Sequence, residues 1–147
     1  MDEKDKEILK VLERNAKLSS RALAVKVGLP TSTVHRRVQK LEREGVIKGY
    51  RTLIDYEKTE RPIGAYLFIS EAETIPNKGH IPKARIIDEI RKFSEVQEIS
   101  DVQGANFDLI AKARFKSLKG LSDFTENLRS IEGIEGLFAA IIIEEIS

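Results

Sequence analysis

Residues 20–45 contain two runs of apolar side chains at helical spacing, and each run is followed by a glycine, Gly28 or Gly45. Glycine readily adopts the left-handed backbone conformation that ends a helix, so the two glycines predict where two helices stop. About three residues separate the first helix from the second, which is predicted to run to Glu44. Two helices joined by such a tight turn predict a helix-turn-helix unit.

A further helix is predicted before this unit. Asp2 is suited to cap it, and its inward-facing side chains are predicted to be Ile8, Leu9, Leu12 and Ala16. Ser19 or Ser20 is suited to cap the second helix. Residues 1–50 are therefore predicted to form a three-helix, winged-helix-like head.

The third helix has a narrow apolar stripe and many hydrogen-bond donors on its remaining surface. A helix that enters the DNA major groove buries its apolar stripe and presents donors outward. Val34, Val38 and Leu41 form the stripe here. The residues predicted to contact base edges are Thr31, Ser32, Thr33 and Arg36. His35 and Arg37 flank them and are predicted to contact either bases or phosphates, and Gln39 shares their face. The residues predicted to bind phosphates are Lys40, Arg43 and Arg21.

The distribution of charge supports a polyanionic partner for this part of the chain. The net charge is +1 overall, but residues 17–51 carry nine Lys or Arg and only two Glu, whereas residues 61–147 have a net charge of −3. Basic charge concentrated on one segment is typical of nucleic-acid binding. Simple solvation of a charged face is the alternative for any single Lys or Arg.

The spacing of apolar residues changes after the head. Residues 46–56 are β-branched and aromatic and predict a strand, and residues 57–62 predict a domain boundary. The following elements are predicted to be a strand at 63–70, a helix at about 83–93, strands within 95–103 and 107–115, a helix through Leu121, Phe124, Leu128 and Ile131, and a strand within 134–146. In the 107–115 strand, Phe107, Leu109, Ala111, Ala113 and Phe115 are predicted to share one face.

This order, βαββαβ, predicts a ferredoxin-like domain over residues 63–147, joined to the head by a linker strand at 51–62. The whole chain is thus predicted to be α+β. The last strand contains residues 137–143, which are apolar on both faces. An antiparallel sheet covered on one side alternates apolar and polar residues, so the second face is predicted to be covered by another copy of the chain.

The chain resembles the Lrp/AsnC, or feast/famine, family of transcription regulators. The resemblance is carried by residues 2–29, by residues 32–55 and by the βαββαβ order with its motif at 128–136. It implies a DNA-binding head and a ferredoxin-like regulatory domain that dimerises through its sheets. Dimers of this family often assemble into octamers of four dimers, and members commonly bind an amino acid between regulatory domains.

Three positions depart from the family's pattern. Pro30 replaces the Ser that usually caps the recognition helix; proline can occupy a first helical position, and Thr31 is predicted to cap instead. The Gly-Asp pair of the family is Gly104-Ala105 here, which argues against amino-acid binding at the usual site. The residues predicted to bind an effector are Gly104, Ala105, Asn106 and Asp108, with a plain hairpin turn as the alternative. The loop at 71–82 is longer than is usual.

Other functions have little support in the sequence. The two histidines and the carboxylates show no metal-ligand spacing, and no cysteine is present, so no metal, cofactor or catalytic residue is predicted. No apolar run reaches the roughly 18 residues of a membrane helix, and the composition suits a cytoplasmic protein from a heat-adapted source. An architectural DNA-binding protein is one alternative. Another is an enzyme like the siroheme decarboxylases that resemble this family.

Overall fold

The computed structural model describes residues 1–104 and 106–146, and the chain divides into two compact units, Met1–Ile54 and Asp55–Ser147. The first unit contains three helices: α1 (Glu3–Arg14), α2 (Ser20–Val27) and α3 (Thr31–Arg43). Helices α2 and α3 form the predicted helix-turn-helix. Their buried apolar residues, together with those of α1, are Ile8, Leu12, Leu23, Ala24, Val27, Val34 and Leu41.

The sequence predicted most of the residues that begin and end these helices. Asp2 caps α1 in a reciprocal capping box with Asp5. Ser19, rather than Ser20, caps α2 by accepting a hydrogen bond from the Ala22 N–H. Gly28 ends α2 with φ at 67°, in the left-handed region that favours glycine.

Two details of the predicted head are wrong. Ala16 is exposed in a turn, because α1 ends at Arg14 before the helical repeat reaches it. Thr31 does not cap α3: Pro30 occupies the N-cap position and Thr31 is the first helical residue. Proline has no side-chain oxygen to accept a hydrogen bond, so its extended backbone (ψ at 144°) starts the helix without a side-chain cap.

The strand predicted at 46–56, and with it the linker strand at 51–62, is also wrong. Residues 46–62 are all described, and they contain one short 3-10 helix, Tyr56–Lys58, and no strand. A strand needs a neighbouring strand to accept and donate its backbone hydrogen bonds. A β-branched and aromatic segment therefore stays irregular where no such neighbour pairs with it.

The second unit has the predicted βαββαβ order. Its elements are β1 (Ile63–Glu71), α4 (Lys83–Arg91), β2 (Val96–Asp101), β3 (Leu109–Phe115), α5 (Leu118–Arg129) and β4 (Ile134–Ile141). The sheet order is β2-β3-β1-β4, and each neighbouring pair is antiparallel. The fold is therefore α+β with a ferredoxin-like second unit.

One face of this sheet forms the core with α4 and α5. Alternate residues of β1 and β3 are fully buried there against the apolar sides of both helices. The buried residues are Ala65, Leu67, Ile69, Ile81, Ile86, Ile90, Leu109, Ala111, Ala113, Phe115, Leu121, Phe124, Leu128 and Leu137. The alternation predicted for β3 is thus confirmed from Leu109 to Phe115.

Phe107 is the exception to that alternation. It precedes β3, and its ring packs against Phe68 at 5.1 Å and Phe138 at 5.9 Å between centroids. Phe68 and Phe138 are register partners on the outer face of the sheet, opposite the core. The prediction that Phe107 shares the core face is wrong, because the regular alternation begins only at Leu109.

Candidate nucleic-acid interface and effector loop

Helix α3 presents most of its predicted DNA-contacting side chains to solvent. Val34 and Leu41 are buried, and this fixes the rotation of the helix on the head. The exposed residues are Thr31, Ser32, His35, Arg36, Gln39, Lys40 and Arg43, and Arg21 is exposed near the start of α2. Thr33 is half-buried. These residues form one polar, basic surface, which we call the reading face.

Arg37 differs from its neighbours because its guanidinium is held within the head. Its Nη1 donates hydrogen bonds to Asp2 Oδ2 at 2.8 Å and to Asp5 Oδ1 at 2.9 Å. Asp5 is only 7% exposed, and its second oxygen accepts the Asp2 N–H in the capping box. Arg37 thus links α3 to the start of α1.

The same contacts perturb the titration of Asp2. The backbone N–H of Asp5, followed by the Arg37 guanidinium, holds the pKa of the Asp2 carboxyl at about 2, below its ordinary value. Hydrogen bonds to the charged form favour ionisation, so Asp2 stays negatively charged near neutral pH. Sequence reasoning identified Asp2 only as a cap. The Asp2–Asp5 spacing of three residues signals the capping box but not the contact with Arg37, which depends on the tertiary fold.

The ion pair that Lys40 forms on α3 is too weak to fix its ammonium group. Lys40 lies 3.8 Å from Glu44 in an exposed pair, and exposed pairs of this kind contribute little free energy. Ser20 Oγ lies 3.4 Å from His35 Nδ1, which brings the start of α2 close to α3. Lys40 and Arg36 can therefore reorient toward an incoming phosphate or base.

The loop predicted to bind an effector is built around the end of β1. Gly104 has φ at 105°, a conformation that favours glycine. The carbonyl of Asn106 accepts a hydrogen bond from Ser70 Oγ at 3.0 Å, and Asp108 Oδ2 accepts the Glu71 N–H at 2.7 Å. Ala105, the fourth predicted residue, lies outside the described residues.

These contacts show which part of the loop is already engaged. The Asp108 carboxylate accepts one backbone hydrogen bond, and its remaining lone pairs can accept hydrogen bonds from a ligand ammonium group. Gly104 is exposed and Asp108 is half-buried. The effector assignment of all four residues stays a prediction.

Within residues 1–104 and 106–146, no group of three or more His, Asp or Glu side chains is arranged to hold a metal ion. Over the same residues, no helix is long and apolar enough to cross a membrane.

Comparison with known proteins matches both units. The family model for winged helix-turn-helix DNA-binding domains matches residues 1–48, and the model for the Lrp/AsnC ligand binding domain matches residues 78–147. An HTH-type transcriptional regulator of Pyrococcus furiosus is 30% identical over 145 residues, which cover 98% of this chain and 92% of the relative. The HTH-type transcriptional regulator FL11 of Pyrococcus horikoshii is 28% identical over 144 residues, covering 98% and 90%.

Solved structures agree. A transcriptional regulator of Neisseria meningitidis in complex with L-Met has a TM-score of 0.84 at 25% identity, covering 100% of this chain and 92% of that one. An AsnC family transcriptional regulator from Agrobacterium tumefaciens has a TM-score of 0.82 at 27% identity, covering 100% and 93%.

The helix-turn-helix head and the ferredoxin-like unit together define the class of the molecule, a DNA-binding transcription regulator. The chain belongs to the Lrp/AsnC family of transcriptional regulators.

Proposed function

We propose that this regulator binds specific double-stranded DNA sites through the reading face of α3. The single observation that carries the proposal is the exposure of Arg36 and its neighbours on a helix whose opposite side is buried. Thr31, Ser32, Thr33 and Arg36 contact base edges near the start of the helix, with His35 and Gln39 beside them. Lys40, Arg43 and Arg21 bind phosphates, which position the head without selecting sequence.

Arg37 has a positioning role in this proposal. Its two hydrogen bonds, to Asp2 and Asp5, hold its guanidinium against the start of α1. Loss of these bonds changes the angle at which the reading face meets DNA, because they join α3 to α1. The direct DNA contact expected of Arg37 from the sequence stays a prediction.

We further propose that the molecule acts as a dimer that associates through the outer face of its sheet, with octamers of four dimers as the larger assembly. The supporting observation is an aromatic cluster on this face, formed by Phe138 and by the half-buried Phe68 and Phe107. Phe138 is 65% exposed. Exposed apolar patches of this kind mark association sites, and a two-fold axis lets the same patch cover itself.

An amino acid or related metabolite modulates this activity in the proposed scheme. The relative from Neisseria meningitidis was solved in complex with L-Met, which supports a ligand of this class. The replacement of the family's Gly-Asp pair by Gly104-Ala105 supports a second candidate, an architectural protein that binds DNA without sensing a ligand. In either case we propose a cytoplasmic, nucleoid-associated protein with no catalytic activity of its own, rather than a siroheme decarboxylase.

Selection on fragmented genomic DNA tests the proposal. Purified protein is incubated with the fragments at roughly 0.15 M salt, where binding to phosphates alone is weakened. Enrichment of a few sites that share a two-fold motif supports a specific regulator, because the heads of a dimer contact half-sites one helical turn or a multiple apart. Uniform recovery supports the architectural protein. Recovery of no DNA contradicts both.

A further inference from the structure

The outer face of the sheet contains a buried cation at the end opposite the aromatic cluster. Arg114, on β3, is only 5% exposed although it faces away from the core. Its guanidinium carbon lies 4.2 Å from the centroid of the Tyr56 ring. Gln97 Nε2 donates to the Tyr56 hydroxyl at 2.6 Å and holds that ring in place.

Gly64 makes room for this guanidinium. A Cβ at Gly64 would lie 2.8 Å from Arg114 Nη1 and 3.1 Å from Ile142 Cδ1. A larger residue would push the guanidinium away from the Tyr56 ring, since contacts under 3.0 Å are repulsive. The Tyr56 ring and the backbone of β1, together with β3, which carries Arg114, therefore form a cradle around the planar guanidinium.

The hydrogen-bonding capacity of Arg114 is not filled by this cradle. Among the described residues, Nε has no hydrogen-bond acceptor, and Nη2 contacts Glu145 Oε1 as an ion pair without hydrogen-bond geometry. Nε and Nη2 form the edge of the guanidinium that binds a carboxylate through two parallel hydrogen bonds. A buried cation whose Nε has no acceptor among the described residues strongly favours an anionic ligand at this edge.

The anion now at this edge comes from the C-terminal tail. Glu145 is 48% exposed and also lies 3.3 Å from Lys112 Nζ. Its tail follows β4 over Gly64, where the Ile142 N–H donates to the Gly64 carbonyl at 2.8 Å. Both Lys112 and Arg114 therefore contact the same carboxylate of the tail.

We propose that Arg114, with Lys112, forms a binding site for a small-molecule carboxylate, and that the chain's own Glu145 occupies it when no ligand is bound. A planar carboxylate matches the Nε–Nη2 edge. The Tyr56 ring and the Gly64 backbone both lie close to the guanidinium and limit the space around it, which favours a flat anion over a tetrahedral one. The site is independent of the loop at 104–108.

Binding at this site also frees the tail. A ligand that replaces Glu145 breaks the contacts of Glu145 with Lys112 and Arg114, which hold the end of the tail against the outer sheet face. Residues 143–146 then leave a face that the proposed function uses for association, so a carboxylate would alter assembly. The effect on assembly depends on the proposed function, whereas carboxylate binding at Arg114 does not. The experiment below therefore tests binding at Arg114 in the absence of DNA.

Chemical rescue by acetate tests the site. In Glu145→Gln the side chain that contacts Arg114 is neutral, and the buried guanidinium is left without that anion. We expect this variant to unfold at a lower urea concentration than the wild type. Sodium acetate should restore its midpoint in a saturable manner, whereas sodium chloride at equal ionic strength should not. Half-saturation should need at least about tenfold less acetate than in the wild type, because an attached Glu145 competes at a high effective concentration.

The double variant Arg114→Met with Glu145→Gln is the matched control. It removes both charges, so no unpaired charge is buried and the fold is retained. Acetate and chloride at equal ionic strength should have the same effect on its urea midpoint. The proposal is overturned by equal acetate and chloride curves for Glu145→Gln, or by an acetate effect that persists in the double variant.

Digestion of the folded wild type by a carboxypeptidase gives a second measurement. Acetate should speed removal of residues 145–147 relative to chloride, as followed by mass spectrometry, and should have no such effect on the double variant. An identical rate in both salts for the wild type contradicts displacement of Glu145.

Discussion

Arg36 and Arg37 are adjacent in sequence but have different surroundings. Arg36 is exposed on the reading face, whereas Arg37 makes two hydrogen bonds to carboxylates of α1. The sequence placed both among the DNA-contacting residues, because helical spacing separates them by only 100°. Their partners, Asp2 and Asp5, are more than 30 residues away along the chain. Helical periodicity alone cannot reveal such a contact.

Replacing Arg36 by Ala should relax sequence preference at one base pair. A bidentate contact between Arg and a base contributes about 1–3 kcal/mol of discrimination, and the variant should lose that amount for its preferred base. The affinities for a set of single-base variants of a selected site measure this loss. Lys40→Ala is the control: it should weaken binding to all sequences alike and make the salt dependence shallower. An unchanged preference in Arg36→Ala would reassign this side chain to phosphates.

The Asp2 carboxyl makes the free energy of unfolding depend on pH in the acidic range. Its pKa is about 2 in the folded chain and near its ordinary value of 3.8 when unfolded. A lowered pKa means that the stabilisation is present above pH 3.8 and is lost as the pH falls toward 2. We therefore expect Asp2→Asn to flatten the fall in the urea midpoint between pH 4 and pH 2.

Urea unfolding followed by circular dichroism at several pH values makes this comparison. Glu3→Gln is the matched control, because Glu3 is exposed at the same end of α1 and pairs only with Lys6 among the contacts of the described chain. It should keep the wild-type pH dependence. Equal slopes for Asp2→Asn and the wild type would contradict the role of Asp2.

At the scale of elements, the turn between α5 and β4 depends on one glycine. Gly133 has φ at 99°, and a Cβ there would lie 2.7 Å from Ile86 Cδ1 in the core. Gly133→Ala should therefore destabilise the protein by about 1–3 kcal/mol through backbone strain and crowding.

The urea midpoint and slope measure this loss of stability. Gly136→Ala is the control, since its Cβ would meet Ser70 at an ordinary 3.4 Å in extended backbone. It should change stability by less than about 0.5 kcal/mol. Equal effects of the two substitutions would show that strain at Gly133 is absent.

The elements that the sequence predicted are those whose signals are local. Helices α1 to α5 follow from apolar spacing and caps, and β3 follows from its alternation. The segment at 46–56 has the composition of a strand, but strand formation depends on a partner that composition does not specify. Phe107 was placed on the wrong face for a related reason, because the alternation was extended beyond the point where β3 begins.

In the candidate site, too, local sequence signals predict some features, whereas others depend on the tertiary fold. The exposed face of α3 could be predicted, because Val34 and Leu41 define its buried side. The positioning role of Arg37 and the buried Arg114 could not, because each depends on side chains brought together by the tertiary fold. Nothing in the sequence near Arg114 distinguishes it from a solvated residue of an exposed strand face.

At the scale of the whole molecule, the outer sheet face combines an aromatic cluster with a cationic cradle. Phe138→Glu places a charge in the exposed cluster and should shift the assembly to smaller species, because a charge buried in an apolar interface is costly. Sedimentation velocity measures the size of the assembly.

Leu118→Glu is the matched control for this substitution. Leu118 is also exposed, but it lies at the start of α5 on the helical side of the unit. The control should sediment like the wild type. Unaltered sedimentation of Phe138→Glu would remove the outer sheet face as the association surface.

The central claim is that the molecule distinguishes DNA sequences through α3. Its most direct test is the ratio of two affinities, one for the site most enriched in the genomic selection and one for the same base composition scrambled, both at about 0.15 M salt. Specific regulators bind their sites roughly 10³-fold or more tightly than other DNA. We expect a ratio of that order. A ratio near one would contradict sequence-specific binding and favour an architectural protein.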